Sequence, residues 1–173
     1  GQQVRSGSSS INAPQLTSKL KQARSVQELI GLVDAHGDVL NHIHCGAAWS
    51  YLGKQGGKAD QPDHRRGLER LVRLTEEHVS SCGARELSNI AHGIAKSRAS
   101  CAGVKGLLDA IAAAAVATRL RDFNPQDLAN TAWAYATAGH AAPALLDAIA
   151  AVAVATEATC RAAAGLAIVA QVA

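Results

Sequence analysis

With 173 residues the chain is long enough to bury a core of its own, so neither disulfides nor a metal is needed to hold it together. Hydrophobic residues make up 48% of it but aromatic residues only 3%, and 26 of the 64 residues in 110–173 are alanine, a composition that favours closely packed helices. Through Arg121 there are 16 basic and 10 acidic residues and beyond it 1 and 4, so the first two-thirds suit an anionic partner; no charge-free run of 18 apolar residues occurs, so membrane insertion is not expected.

In chain order, residues 1–24 come first, with Arg5, Lys19, Lys21 and Arg24 among serines and no acid. Their composition is that of a targeting remnant, and they read as a flexible basic leader. A helical-repeat domain is predicted over 25–173, in units of about 25–57, 62–98, 104–139 and 143–173. Each unit holds an A helix (25–36, 63–80, 104–121, 143–156) and a B helix (41–54, 84–97, 125–138, 162–173). Breakers separate them at Gly37, Gly56-Gly57, Pro62, Gly83, Gly103, Asn124-Pro125, Gly139 and Pro143. In the second A helix Leu68, Leu71, Val72, Thr75 and Val79 share a face opposite Arg65, Arg66, Glu69, Arg70, Arg73, Glu76 and Glu77, as an amphipathic helix requires. Asn124 is placed to cap the helix that Pro125 opens. No segment shows the alternation of a strand, so the fold class is all-α.

The units are copies of one another. GLLDAIAAAAVATRL at 106–120 matches ALLDAIAAVAVATEA at 144–158 in 11 of 15 positions, at a spacing of 38. Residues 87–95 align with 128–136 at a spacing of 41, and Ala47-Ala48-Trp49-Ser50-Tyr51 matches Thr131-Ala132-Trp133-Ala134-Tyr135 at 84. One such hairpin cannot bury its own apolar face, so an α-solenoid of about four stacked hairpins is expected, with Leu71, Ile90, Ile111, Leu128, Ala132, Tyr135 and Ile149 buried.

These repeats resemble the octotricopeptide repeat family of organellar proteins, whose units are 38-residue helical hairpins. The resemblance is carried by Phe123-Asn124-Pro125-Gln126-Asp127-Leu128-Ala129-Asn130-Thr131-Ala132-Trp133-Ala134-Tyr135-Ala136, by the weaker copy at 87–96 and by Leu40-Asn41-His42-Ile43-His44. It covers roughly residues 23–173. It implies an RNA-binding solenoid in a mitochondrion or chloroplast, working in transcript stabilisation, processing or translation.

Independently of family, an RNA surface needs cations for phosphate and rings or amides for unstacked bases. Positions i, i+4, i+7, i+11 on the B helices give His42, Gly46, Trp49, Gly53, then Arg85, Asn89, His92, Lys96, then Gln126, Asn130, Trp133, Thr137. The competing account makes Trp49 and Trp133 groove-filling core. A second candidate is the A-helix stripe Arg66, Arg70, Arg73, with Arg119 and Arg121 further on; its competing account is a solvated face braced by Arg65–Glu69 and Glu69–Arg73 pairs.

No catalytic motif is present: Gly53-Lys54-Gln55-Gly56-Gly57-Lys58-Ala59 lacks the Walker spacing, and the histidines have no paired nucleophile. Cys45, Cys82, Cys101 and Cys160 form no CxxC motif and are expected to be reduced; of His42, His44 and Cys45 only the first and third share a helix face, so no metal and no cofactor is expected. The rival to RNA binding is a structural subunit of a large organellar assembly, such as a ribosome or a membrane complex, whose partners are ribosomal RNA or other subunits. The uncharged C-terminal end is expected to dock on another protein chain, or on a further repeat, with Ile168 and Val172 in the contact.

Overall fold

Among the described residues eight α-helices account for the architecture: α1 Ala13–Lys21, α2 Val26–His36, α3 His42–Gln55, α4 Arg65–His78, α5 Ala84–Ser97, α6 Val104–Ala117, α7 Pro125–Ala138 and α8 Pro143–Val172. The structure is a computed structural model describing residues 12–118 and 120–172, with side chains at 12–118 and 120–157; no strand occurs among the described residues. Successive odd-numbered helices pack on one another, α1 on α3, α3 on α5 and α5 on α7, and the even-numbered ones do the same. The two layers meet over a continuous apolar core that includes Leu29, Leu52, Leu68, Leu71, Ile90, Leu107, Ile111 and Leu145. Each such side chain contributes about 1.5–3 kcal/mol when fully buried.

Local chemistry explains most of the helix ends. Asn41 and Asn124 cap α3 and α7, each accepting from the backbone of the third helical residue, whose side chain reaches back to the cap N–H. Pro125 follows at the first helical position, where its missing N–H has no partner to lose. Gly139 ends α7 in the left-handed conformation. Arg98 ends α5 the same way at φ 55°, without glycine's freedom.

The odd-numbered layer is held close by glycine. A Cβ on Gly93 would collide with the Trp49 carbonyl oxygen, and one on Gly53 would sit 3.1 Å from the Gly93 Cα. The α3 and α5 backbones therefore touch where their residues have no side chains. In the other layer Gly67 of α4 gives way to the Ile30 side chain of α2 in the same manner.

Three parts of the chain differ from the sequence expectation. Residues 13–21, placed in a flexible leader, form α1: Asn12 and Gln15 make a capping box, and Leu16 and Leu20, one turn apart, are buried. Basic composition hid a short amphipathic helix. His44 ties it to α3, since its Nδ1 accepts from the Asn41 N–H at 3.0 Å and its Nε2 donates to the Ala13 carbonyl at 3.0 Å. The third A helix stops at Ala117 and not at 121, because Thr118 closes it and Leu120 turns left-handed at φ 54°. Finally, α8 is one helix of 30 residues where a turn was expected between the fourth A and B helices. The third unit breaks at Asp122-Phe123-Asn124-Pro125, whereas the corresponding part of the fourth has neither proline nor glycine until Gly165 and is rich in alanine.

One consequence is that Leu128, Ala132 and Ile149, expected in the core, are only partly buried. With Ala129 and Ala153 they line an open groove of about 440 Å³ between α7 and α8. Ile168 and Val172 lie outside the described side chains.

Candidate nucleic-acid interface

The B-helix stripes do not share one environment. Trp49, His92 and Trp133 occupy equivalent repeat positions on α3, α5 and α7, and their exposure rises along the stack. Trp49 is fully buried, with its Nε1 donating to Thr75 Oγ1 at 3.0 Å, and Thr75 Oγ1 donating on to the Leu71 carbonyl at 2.6 Å. Trp49 is thus a core residue that pins α3 to α4, and Gly46 and Gly53 beside it are buried too. For this unit the packing account is the right one. Trp133 is 45% exposed.

What α5 and α7 bring together is a paired ring surface. The His92 and Trp133 rings lie 4.9 Å apart between centroids, inclined at 36°, which is a tilted stack bridging the two helices. Burial, and secondarily the nearby Lys96 charge, pushes the His92 pKa below its ordinary 6.5, so the ring is neutral at neutral pH. Its Nδ1 is buried without a hydrogen-bond partner, which favours the tautomer carrying the proton on Nε2. A neutral imidazole against an indole is a platform for a π-face rather than for a counter-ion.

Polar groups flank the rings. Gln126 Nε2 donates to Asn130 Oδ1 at 2.8 Å, one turn from Trp133 on the same helix. That leaves the Gln126 Oε1 acceptor and the Asn130 Nδ2 donors unspent by the pair, a donor-and-acceptor edge of the kind that reads bases. Asn89 is half-buried, and Arg85 and Lys96 are exposed at the two ends of the α5 stripe.

The arginine stripe of α4 is less uniform than its spacing suggests. Arg66 and Arg73 are exposed. Arg70 instead folds over Gly37, which leaves no room there for a Cβ, and its Nε lies 3.8 Å from Asp34 Oδ1. The Arg65–Glu69 and Glu69–Arg73 pairs do not form; among the described residues the arginine ion pair is Arg70–Asp34, and His140 Nε2 lies 2.7 Å from Asp109 Oδ1. Arg121 is exposed and turned back onto the Thr118 carbonyl, and Arg119 lies outside the described residues. Missed altogether by helical periodicity were Lys54, Lys58, Arg98 and Lys105, which sit at helix ends. Sorting charges by connection, B to A against A to B, is the signal that picks them out.

The remaining reactive groups are quiet. Both nitrogens of His44 are engaged as above. Cys45, Cys82 and Cys101 are free thiols, and burial pushes them up to about 11, 12 and 11, well away from the thiolate that nucleophilic chemistry or metal ligation needs. No described helix is long and apolar enough to cross a membrane. A scan against protein-family models matches none of them to this chain, and a search of the curated proteins likewise finds no match.

Proposed function

We propose that the chain is an RNA-binding α-solenoid acting, without catalysis of its own, in organellar gene expression, where it takes part in stabilising, processing or translating transcripts. The observation that carries this reading is the half-open His92–Trp133 stack with amides beside it and cations at its ends. An unpaired base has two needs, a flat apolar surface and hydrogen bonds along its edge, and this face offers both. Helix-on-helix order within each layer supports the solenoid, since every unit rests on its neighbours in sequence. The organellar setting comes from the family resemblance.

The reading is tested by titrating the full chain with a labelled single-stranded RNA. Trp133→Ala is expected to weaken binding by about tenfold or more, because one stacked base is worth about 1–3 kcal/mol. Equal affinity of variant and parent takes Trp133 out of the interface, and an unmodified chain that binds no RNA overturns the reading.

One observation favours a second reading, a structural subunit of a larger organellar assembly. The groove between α7 and α8 is apolar, and Leu146 and Val154 of α8 are exposed nearby in sequence. Recovery of the chain from the organelle inside a stable particle, with α8 crosslinked to another subunit, supports that role; recovery as a free protein on transcripts supports the first.

A further inference from the structure

The two long edges of the helix stack carry opposite charge. Residues 54–66 and 96–105, which connect B helices to the next A helices, hold Lys54, Lys58, Arg65, Arg66, Lys96, Arg98 and Lys105 against Asp60 and Asp63. All seven cations are exposed. Residues 34–42, 77–86 and 118–127, which connect A to B on the other edge, hold six carboxylates against Arg85 and Arg121 among the described residues. Composition along the chain averages this contrast away, because basic and acidic connections alternate.

The basic connections converge in space. Gly57 lies against Arg98, with 3.8 Å between a Cβ built there and the Arg98 Cδ, and Gly53 lies likewise 3.4 Å from the Lys96 Cβ. Ser100 Oγ donates to Asp60 Oδ2 at 2.7 Å, which joins the two connections and engages one of their two carboxylates. Next along the edge is a cavity of about 690 Å³ whose lining includes Arg98, Ser100, Lys105, Thr137 and His140. Asp109, the nearest acid of α6, is held by His140 at 2.7 Å. No cation of this edge is in an ion pair among the described residues.

We propose that the sugar–phosphate backbone of a single-stranded RNA runs along this edge, from the Gly56–Lys58 turn across the cavity to His140, with Lys58, Arg98 and Lys105 holding its phosphates. The cavity is large enough for a nucleotide-sized group, and no carboxylate is among the residues that line it, although Glu76 of α4 lies beside Gly106 at its rim. Lys96 belongs both to the edge and to the α5 stripe, so a strand on the edge has its bases directed to the His92–Trp133 platform. The acidic edge opposite repels the same polymer and fixes which side it takes. The α4 stripe, with Arg70 committed to Asp34, is left out of the track.

This proposal rests on the RNA reading, and the test separates the two. The full chain, the triple variant Lys58→Gln, Arg98→Gln, Lys105→Gln and a control Arg73→Gln, Arg121→Gln away from this edge are titrated with a labelled single-stranded RNA of about 20 nucleotides across a salt series. Each phosphate contact contributes about 0.7 to the salt slope for a single strand, so the triple variant is expected to bind about tenfold or more weakly at low salt, with a slope shallower by about 2. The control is expected to keep the parent's slope to within about one contact. Melting curves of all three are expected to coincide, since only exposed side chains change. If the parent binds RNA and the triple variant keeps its affinity and slope, the edge is not the track and the RNA reading stands. If the parent binds no RNA, both fall.

Discussion

Gly93→Ala is expected to lower the stability of the chain by about 2 kcal/mol, although alanine is the better helix former. Intrinsic propensity favours alanine in mid-helix by about 1 kcal/mol. Against this, the new methyl lands on the Trp49 carbonyl, with the carbonyl carbon at 2.6 Å and the Trp49 Cβ at 3.0 Å. Overpacking costs about 1–3 kcal/mol where neighbours can yield, and a helix backbone yields less than a side chain, so the clash wins at the upper end of that range. The same substitution at Gly31, in the middle of α2 with nothing within 4 Å of its Cβ, is expected to raise stability by up to about 1 kcal/mol. Denaturant midpoints of the two variants measure the difference in sign. Stabilisation by Gly93→Ala contradicts the close α3–α5 contact.

The two tryptophans are expected to separate as sharply. Trp49→Ala removes a fully buried indole between helices and leaves the Thr75 hydroxyl without its donor, which places it in the range of about 3–5 kcal/mol for a large core truncation. Trp133→Ala removes a ring that is 45% exposed and packs on one side against His92, and its cost is expected to stay below about 1 kcal/mol. Parallel melts measure both. Equal losses contradict the division of these residues into core and surface.

That division marks the limit of what the sequence told. Helix identities and most boundaries were legible because their causes are local: Asn124 and Pro125 start α7, Gly139 stops it, and the apolar face of α4 is written at i, i+3, i+4 and i+7. Trp49 and Trp133 are indistinguishable by the same logic, being equivalent positions of one repeat. What separates them is place in the stack: Trp49 is enclosed by neighbouring helices, while Trp133 stands on α7, which no further odd-numbered helix covers among the described residues. That place depends on α8 running on without a turn, a decision made by the absence of a breaker among many alanines. Likewise the leader hid α1, because two leucines one turn apart count for little in composition yet bury well against α3. The basic edge was illegible for a third reason, that it is assembled from connections, which helical periodicity does not sample.

The most direct measurement is photocrosslinking of the full chain to a single-stranded RNA carrying a photoreactive uridine analogue, followed by mapping of the modified peptides. RNA bound as described places its crosslinks in α5 and α7, at Asn89, His92, Asn130 and Trp133, and along residues 54–66 and 96–105. Crosslinks confined to the exposed face of α4, or capture of duplex RNA in equal yield, contradict it.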